Sequence, residues 1–591
     1  MSSQFGQITR RNLLRSAAAL GGLPALQAAP SRSLPNVVVI LADDQGWGDL
    51  SIHGNTNLST PNIDSIGRDG ALFDRFFACA VCAPTRAEFL TGRYHPRCGV
   101  RGVSTGAERM NLDETTIAQT FKQAGYATAA FGKWHNGSQF PYHPNGRGFD
   151  EYYGFTSGHW GQYFDAELDH NGSLVRGNGY ITDDLTGHAL QFIRQHRQRP
   201  FFCYLPFNTP HSPMQVPDRF FERFAHLDPR LKNRDPGRED IAMTRAALAM
   251  CENIDWNAGR VLGEIDKLGL RNDTIVVYFS DNGPNSWRWN GGMKGRKGSL
   301  DEGGLRVPML IRWPGGIGRG RRVTQIAGAI DLRPTLADLA GIPVAGNKPL
   351  DGRSLKPLLT GDKPGWPERM IFSMQARRVS VRSQRYRLDA SGALYDMVSD
   401  PGQDNDASAR LPDVAARLRK AQQDWSAEML PMVGPDDRPY TVGYSRTTLL
   451  PARDGVNEGG IKRSSIHPNC SFFTNWTSQD DRMTWDIEVG QPGVFDVAVY
   501  FACKQADVGS TIELSFGNSK VQGKISEAND PPLKGKAQDR AARTESYVKD
   551  FRPLALGSMP LEKGRGKLSL RALEIAGREV AEIRYVALTR T

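Results

Sequence analysis

Two continuous runs of apolar, mostly β-branched residues constrain the fold of this chain more than any other feature. The runs cover residues 34–42 and 272–280, and neither alternates apolar with polar positions. Such a run is typical of a strand buried on both faces of a parallel sheet. Each run is followed directly by two side chains that carry oxygen atoms, which are Asp43, Asp44, Asp281 and Asn282. Since ligands of α/β sheets bind at the carboxyl ends of the strands, these four side chains are predicted to converge there.

The convergence of three carboxylates and one amide predicts a metal site. Carboxylates that lie close together repel one another unless a cation lies between them. A site made of carboxylate and amide oxygens suits a hard cation rather than zinc, with Ca²⁺ as the first expectation and Mg²⁺ as the second. The alternative for each aspartate taken singly is the cap of a strand end or a turn. The two pairs together favour the metal.

Helix and strand patterns alternate between the two runs and predict further β-α-β units. Residues 115–124 have the spacing of an amphipathic helix that ends at Gly125, and residues 126–131 follow as a strand. Residues 240–268 also have helical spacing and are interpreted as a packing helix. The predicted fold class is therefore α/β, with a mixed, largely parallel sheet flanked by helices.

A short motif, Cys82-Ala-Pro-Thr-Arg86, lies where a loop is expected to enter a helix. Pro84 has a fixed φ and no N–H, which suits the first position of a helix. The free N–H groups of that first turn attract an anion, so Cys82 would lie beside a negatively charged substrate. The alternative interpretation of such a cysteine is a small, buried hydrophobic side chain.

Together with two other motifs, this segment resembles the type I sulfatase family. The other motifs are Leu-Ala-Asp-Asp-Gln-Gly-Trp-Gly-Asp at residues 41–49 and Ser-Asp-Asn-Gly at residues 280–283. The three motifs occur in the order that the family has them, and the resemblance covers most of the chain. It implies an alkaline-phosphatase-like catalytic domain at residues 34–340, followed by a small antiparallel subdomain at residues 341–435.

The resemblance also implies a chemistry for the site. In this family a formylglycine-generating enzyme oxidises the motif cysteine, here Cys82, to formylglycine, whose hydrated aldehyde attacks the sulfur of a sulfate ester. Segments similar to the family's Gly-Lys-Trp-His and Pro-His-x-Pro occur at residues 132–135 and 210–213, although Asn136 stands where the family usually has leucine. The implied catalytic residues are Cys82, Arg86, Lys133, His135, His211 and Lys297. The implied metal ligands are Asp43, Asp44, Cys82, Asp281 and Asn282.

Two groups of roles follow from the resemblance. Arg86, Lys133 and His135 are expected to hold the nucleophile and to serve its deprotonation. His211 and Lys297 are expected to hold the sulfate and to protonate the leaving oxygen. The lysine is chosen by the family's spacing, five residues before a Glu-Gly-Gly sequence.

The sequence after about residue 440 changes character, and 591 residues are too many for one hydrophobic core. Short stretches alternate apolar and polar residues between turn signals, for example at residues 493–501 and 510–516. This pattern predicts an antiparallel β-sandwich at residues 440–591. The region resembles, more weakly, the carbohydrate-binding modules of glycan-active enzymes. The alternative is a structural sandwich that packs on the enzyme or joins subunits.

Composition restricts the partners. The formal net charge of +10 favours polyanions, and nucleic acid, an anionic membrane and a sulfated glycan all meet that condition. No zinc-ligand spacing, nucleic-acid motif or heptad repeat occurs to favour nucleic acid. Seven cysteines in so long a chain do not form a disulfide scaffold, and spacing alone does not determine their pairing.

The first 29 residues have the pattern of a twin-arginine signal peptide. Arg10 and Arg11 precede an apolar run that ends in small residues at Ala28 and Ala29. The run is shorter than the ~20 residues that a membrane-spanning helix needs, which argues against a stable membrane anchor. The expected location is therefore the periplasm or the cell exterior, after export of the folded protein.

The expected function is hydrolysis of sulfate esters on a sulfated carbohydrate. The export signal, the basic charge and the appended sandwich support that substrate class. A phosphonate monoester or phosphodiester hydrolase is the closest alternative, because that branch shares the fold and the modified cysteine. A glycan-binding protein with an inactive enzyme domain is another alternative, and multiple-turnover hydrolysis would exclude it.

Overall fold

A computed structural model describes residues 34–361 and 365–591 of the chain. The predicted signal peptide, residues 1–29, lies outside the described residues. Strands and helices alternate in the first part of the structure. Its strands are β1 (Asn36–Ala42), β2 (Ala71–Phe73), β3 (Phe76–Phe77), β4 (Ala127–Lys133), β5 (Glu151–Phe155), β6 (Glu167–His170), β7 (Ser173–Arg176), β8 (Phe201–Pro206), β9 (Thr274–Ser280), β10 (Arg306–Val307), β11 (Met309–Arg312), β12 (Arg321–Val323) and β13 (Ala327–Gly328). Its helices are α1 (Pro61–Arg68), α2 (Cys82–Thr91), α3 (Ile117–Gln123), α4 (Ile181–Gln195), α5 (Asp218–Phe221), α6 (Ile241–Lys267), α7 (Glu302–Leu305), α8 (Leu332–Ala340) and α9 (Lys356–Thr360).

Ten of these strands form one sheet, in the order β12-β2-β11-β9-β1-β8-β4-β5-β6-β7. The five central strands, from β9 to β5, run parallel to one another. The next strand on each side, β11 or β6, is antiparallel to its central neighbour. Every residue of β1, β4, β8 and β9 is buried, which explains why the sequences of these strands do not alternate.

Helices pack in two groups around the sheet. Helix α6 contacts both α1 and α4, and the three helices share a core with Val38, Ile40 and Ala42 of β1. Helices α2, α3 and α8 form the second group of mutual contacts. Val37 and Val39 point to the opposite face of β1 and are also fully buried.

Helix α2 carries the cysteine motif, and all ten of its residues are buried. The helix begins at Cys82, so Pro84 is its third residue. The sequence had predicted Pro84 at the first position. The first four N–H groups of a helix have no intrahelical partner, so proline at this position loses no hydrogen bond. The helix ends at Gly92, whose φ of +71° is accessible to glycine without steric cost.

A four-stranded antiparallel sheet follows the first part. It has the order β14-β15-β16-β17, formed by β14 (Ile371–Gln375), β15 (Arg378–Arg382), β16 (Tyr386–Leu388) and β17 (Leu394–Asp396). Helix α10 (Pro412–Met429) packs on β15 and β16, and its buried side chains include Leu418 and Trp425.

Two further sheets face each other in the last part of the chain. Their strands are β18 (Tyr440–Val442), β19 (Thr447–Pro451), β20 (Val456–Glu458), β21 (Lys462–Arg463), β22 (Phe473–Thr474), β23 (Arg482–Val489), β24 (Gly493–Ala502), β25 (Thr511–Phe516), β26 (Ser519–Lys524), β27 (Arg552–Leu561), β28 (Gly564–Glu574) and β29 (Glu582–Arg590). One sheet has the order β18-β23-β28-β25-β26 with β20 beside β23, and the other has the order β21-β22-β29-β24-β27 with β19 beside β29. Trp485 of the first and Phe495 of the second lie in one shared core. The predicted fold class, α/β followed by a β-sandwich, is confirmed.

Residues Pro35–Thr591 form one compact unit. Buried arginines join its first and last parts: Arg109 donates hydrogen bonds to the carbonyls of Arg438 (2.6 Å) and Pro439 (2.7 Å), and Arg453 donates to Ser157 Oγ at 2.8 Å. All seven cysteines are buried free thiols. Among the described residues, no helix combines the length and the apolar character that crossing a membrane requires.

Candidate active site

The carboxyl ends of β1 and β9 bring the two predicted acidic pairs together. The backbone N–H of Asp44 donates a hydrogen bond to Asp281 Oδ1 at 3.1 Å, and Asn282 Nδ2 donates to Asp44 Oδ1 at 2.8 Å. Asp43 completes the group, and all four residues are fully buried. These contacts follow from the parallel pairing of β1 with β9, in which Ala42 lies opposite Ser280.

Each of the three carboxylates is paired with a cationic side chain. Lys133 Nζ lies 2.6 Å from Asp43 Oδ2 and Arg86 NH2 lies 2.8 Å from Asp281 Oδ2. Lys297 Nζ lies 2.7 Å from one oxygen of Asp44 and 2.9 Å from the other. Burial alone would raise the pKa of Asp43, but the nearby cations, Lys133 foremost, hold that pKa below its usual value.

Arg86 connects three elements of the site. It projects from α2, donates to Asp281 at the end of β9, and donates through NH1 to the carbonyl oxygen of Lys133 at the end of β4, at 2.8 Å. The side chain is fully buried. Removal of one partner from a buried ion pair costs about 3–5 kcal/mol, because the other charge is left uncompensated. Arg86 therefore fixes α2 against the sheet.

Cys82 is the first residue of α2 and faces the acidic group. Its Sγ and single ligand atoms of Asp43, Asp44 and His211 all lie within 4.8 Å of one another. Burial raises the pKa of the Cys82 thiol, although Lys133 and Lys297 oppose the shift. The unmodified side chain is therefore a neutral thiol at pH 7, which is a poor nucleophile compared with a thiolate.

Two histidines that the sequence predicted also face the cavity. His211 Nδ1 lies 2.6 Å from the carbonyl oxygen of Ser212, which leaves Nε2 facing Asp44 Oδ2 at 3.6 Å. His135 Nε2 lies 2.8 Å from the carbonyl oxygen of Val103, and its Nδ1 is buried without a hydrogen-bond partner. Burial, with Lys133 nearby, holds the pKa of His135 well below its usual value, so the ring is neutral.

The donor set fits a hard divalent cation. Asp43 Oδ1 and Asn282 Oδ1 are both buried acceptor atoms without a hydrogen-bond partner. Buried polar atoms are nearly always satisfied, so two adjacent acceptors of this kind point to a missing positive ligand. Carboxylate and amide oxygens are the donors that Ca²⁺ and Mg²⁺ prefer.

A cavity of about 550 Å³ opens onto this group. Cys82, His135, His211 and Lys297 line it, whereas Asp43, Arg86 and Lys133 lie beneath its surface. The sequence interpretation missed several other lining residues, which are His159, His467, Asn469, Thr544 and Glu545. The His159 ring lies 5.8 Å from the His211 ring, nearly parallel to it. Its signal in the sequence was only a loop rich in aromatic residues and glycine, at residues 154–179.

A second group of titratable side chains lies close together at α2: Cys79 precedes the helix, Glu88 belongs to it and His95 follows it. Glu88 Oε1 accepts a hydrogen bond from the His95 backbone N–H at 3.3 Å. Burial raises the pKa of Glu88 to about 8 and lowers the pKa of His95 to about 4, so both side chains are neutral at pH 7. None of the three lines the cavity, and their role is packing.

Comparison with known proteins adds family matches over most of the described chain. A family model described as Sulfatase matches residues 35–342, and one described as N-sulphoglucosamine sulphohydrolase, C-terminal, matches residues 296–423. The steryl-sulfatase of Mus musculus is 32% identical over 442 residues, which cover 58% of this chain and 68% of the relative. The N-acetylgalactosamine-6-sulfatase of Mus musculus is 33% identical over 388 residues, which cover 59% of this chain and 70% of the relative.

Solved structures agree with these matches. The crystal structure of Ps i-CgsB in complex with k-i-k-neocarrahexaose superposes with a TM-score of 0.60 at 29% identity. The superposition covers 67% of this chain and 94% of the other. Residues 424–591 of this chain lie beyond both family models.

The raised pKa of Glu88 predicts a pH-dependent stability that Glu88→Gln removes. In the folded chain the carboxyl keeps its proton up to about pH 8, against about 4.5 for the ordinary group. The folded state therefore binds the proton more strongly, and the free energy of unfolding falls as the pH rises from 4.5 towards 8. The decline is at most about 1.4 kcal/mol per pH unit.

Urea unfolding of both proteins at about pH 5.5 and about pH 7.5 checks this expectation. Glutamine does not titrate, so the variant should lose stability less steeply than the wild type between the two pH values. The same slope in both proteins would contradict the assignment to Glu88.

Proposed function

The chain belongs to the type I sulfatase family and is a sulfuric ester hydrolase, and we propose that its substrate is a sulfated carbohydrate. The family model covers residues 35–342, which include every side chain of the acidic group and of the cationic group described above. The net charge of +10 favours a polyanionic substrate.

The hydrogen-bonding side chains in the cavity favour a carbohydrate over a sterol. The relatives act, by name, on both classes. A fused-ring sterol is bound by apolar walls, since pockets are lined to match the ligand. Here the lining residues include histidine, asparagine, serine, threonine and glutamate, whose side chains can form hydrogen bonds with a ligand that has many hydroxyl groups.

We propose that Cys82 is converted to formylglycine and that Asp43, Asp44, Asp281 and Asn282 hold a divalent cation, Ca²⁺ first. The hydrate of formylglycine supplies a nucleophilic oxygen, and the cation stabilises its ionised form and the charge of the sulfate. The raised pKa of the unmodified thiol and the unpaired oxygens of Asp43 and Asn282 support this assignment.

His135 is suited to accept a proton. The hydrogen bond from Nε2–H to the Val103 carbonyl assigns the proton of the neutral ring to that nitrogen. The buried Nδ1 then has a free lone pair. Lys133 and Arg86 lie behind the site, where they balance the charges of Asp43 and Asp281 and orient the end of α2.

Lys297 and His211 are suited to hold the sulfate and to act on the leaving oxygen. Both side chains line the cavity and both contact Asp44. His211 Nε2 faces the cavity because Nδ1 is held by the Ser212 carbonyl.

We also propose that the protein acts after export by the twin-arginine route, which the pattern of residues 1–29 predicts.

Anion release from a substrate panel tests the proposed function. Purified protein, coproduced with a formylglycine-generating enzyme, is incubated with sulfated polysaccharides, their oligosaccharides, an aryl sulfate, a steryl sulfate and a phosphonate monoester. Ion chromatography is expected to detect sulfate from a carbohydrate with wild-type protein and none with Cys82→Ser. Release from the steryl sulfate alone would overturn the substrate class, and phosphonate turnover without sulfate would favour the rival reaction.

Substitution of Lys297 separates it from its neighbour in the same loop. We expect Lys297→Ala to lower kcat/KM about 10²–10³-fold, because one preorganised donor contributes ~2.7–4 kcal/mol to the transition state. Lys294→Ala is the matched control, since Lys294 has a 44% exposed side chain that lies 3.9 Å from Asp301 and does not line the cavity. Similar losses in both variants would contradict the role of Lys297.

Metal removal tests the cation. We expect dialysis against a chelator to abolish turnover and to lower the Tm, and Ca²⁺ to restore both. Ligand at about 100 times its Kd stabilises a folded protein by about 2.7 kcal/mol. Asn282→Leu replaces one oxygen ligand by an apolar side chain of similar size. The Tm of this variant should therefore respond to Ca²⁺ only at higher concentrations. An equal calcium response in the variant would exclude Asn282 as a ligand.

A further inference from the structure

One wall of the active-site cavity is built by the C-terminal sandwich. His467 and Asn469 lie between β21 and β22, and Thr544 and Glu545 lie between β26 and β27. All four line the same cavity as Cys82. They stand in residues 424–591, which neither family model covers.

The first wall segment lies close to the His135 side chain, with only Gly158 between them. Ser157 Oγ donates a hydrogen bond to the Asn469 carbonyl oxygen at 2.8 Å. Gly158 lies between this segment and His135, because a Cβ at that position would be 2.5 Å from both Asn469 Nδ2 and His135 Nε2. Asn469 and His135 are thus separated by a single backbone segment without a side chain.

The second wall segment is fixed on the loop that carries His211. Ser212 Oγ donates a hydrogen bond to the Glu545 carboxylate, next to His211. Gln215 Nε2 donates to the Gly535 carbonyl oxygen at 2.8 Å, and the Arg540 N–H donates to the Met214 carbonyl oxygen at 2.9 Å. These bonds hold the Glu545 loop at Glu545 itself and at two positions before its cavity-lining residues.

The two wall segments also support each other. Ser464 Oγ and Ser546 Oγ are hydrogen-bonded at 2.6 Å, and Cys470 Sγ lies 3.4 Å from the Ser546 carbonyl oxygen. Arg543 NH1 donates to the Gly161 carbonyl oxygen at 2.6 Å. The wall is therefore a fixed part of the site. Its side chains face a ligand that binds next to Cys82.

Glu545 gives this wall a negative charge. Burial would raise the pKa of Glu545, but His211 and the hydrogen bond from Ser212 hold it below its usual value. The side chain is therefore an ionised carboxylate, which accepts hydrogen bonds and repels anions. Lys297 and His211 attract the sulfate group that is to be removed. Glu545 lines the same cavity on the sandwich side, where it faces the part of the substrate around that sulfate.

We propose that the C-terminal sandwich completes the substrate cavity and that Glu545 selects substrates with a hydroxyl, rather than a second sulfate, beside the scissile ester. A neighbouring hydroxyl donates a hydrogen bond to the carboxylate, whereas a neighbouring sulfate is repelled by it. The inference rests on the proposed sulfatase reaction and adds a specificity-determining residue to it.

The test compares two matched pairs of substrates with the full chain. One pair is a sugar monosulfate with a free vicinal hydroxyl and the corresponding vicinal disulfate, and the other pair is catechol monosulfate and catechol disulfate. The measured quantity is the ratio of kcat/KM for the monosulfate to kcat/KM for the disulfate. Wild-type protein should prefer the monosulfate in each pair that it hydrolyses. Glu545→Gln should lower this ratio about 10–100-fold, since it removes the negative charge that repels the second sulfate.

Two further variants control the result. Glu562→Gln removes the same charge from an exposed position of the same sandwich, outside the cavity, and should leave the ratio unchanged. Glu545→Asp keeps the charge and should retain most of the preference. An unchanged ratio in Glu545→Gln, or an equal fall in Glu562→Gln, would overturn the inference.

The two substrate pairs distinguish this inference from the proposed function. Sulfate release from the catechol pair but from no sugar would overturn the carbohydrate assignment, and the catechol ratio would still decide the role of Glu545. A lower ratio on both pairs in Glu545→Gln alone would support the inference and the substrate class together.

Discussion

Three carboxylates are buried together at one end of the central sheet, and the rest of the site depends on how their charge is balanced. Lys133 and Arg86 supply two of the counter-charges, from the end of β4, which β8 separates from β1, and from α2. Lys297 supplies the third from a loop. Each ion pair joins two elements that are distant in sequence, so the pairs that make burial of Asp43 and Asp281 possible also fix the positions of β4 and α2. The ion pairs that arrange the candidate active site are therefore also contacts that hold the fold together.

Much of this arrangement could be predicted because it follows from strand direction. Parallel strands with uniform burial have an unmistakable sequence, and their carboxyl ends share one edge of the sheet. The predicted helix at 115–124 corresponds to α3 (Ile117–Gln123), whose N-terminal end is set by a Thr116–Gln119 capping box. The long helix at 240–268 corresponds to α6 (Ile241–Lys267). Boundaries shifted by one to two residues where capping, not periodicity, decides them.

The sequence did not predict the wall that the sandwich contributes. Its residues lie in loops, where no periodicity links Asn469 or Glu545 to a site more than 170 positions earlier, so only the packing of the two parts reveals them. Trp476, one of the aromatic residues of the sandwich, is fully buried in its core. Aromatic content alone does not distinguish a binding platform from a core side chain.

The burial of Cys82 also sets an order of events. Only 3% of the residue is exposed, and it begins a helix whose every side chain is enclosed. An enzyme that oxidises this thiol needs access to Cys82 and to the residues on either side of it, in an unfolded segment. The conversion of Cys82 that we propose would therefore have to occur on the nascent or unfolded chain, before Arg86 closes onto Asp281. Under this proposal, a chain that folds too early would keep the thiol, and the synthesis rate and the supply of the modifying enzyme would together determine what fraction of the protein is active.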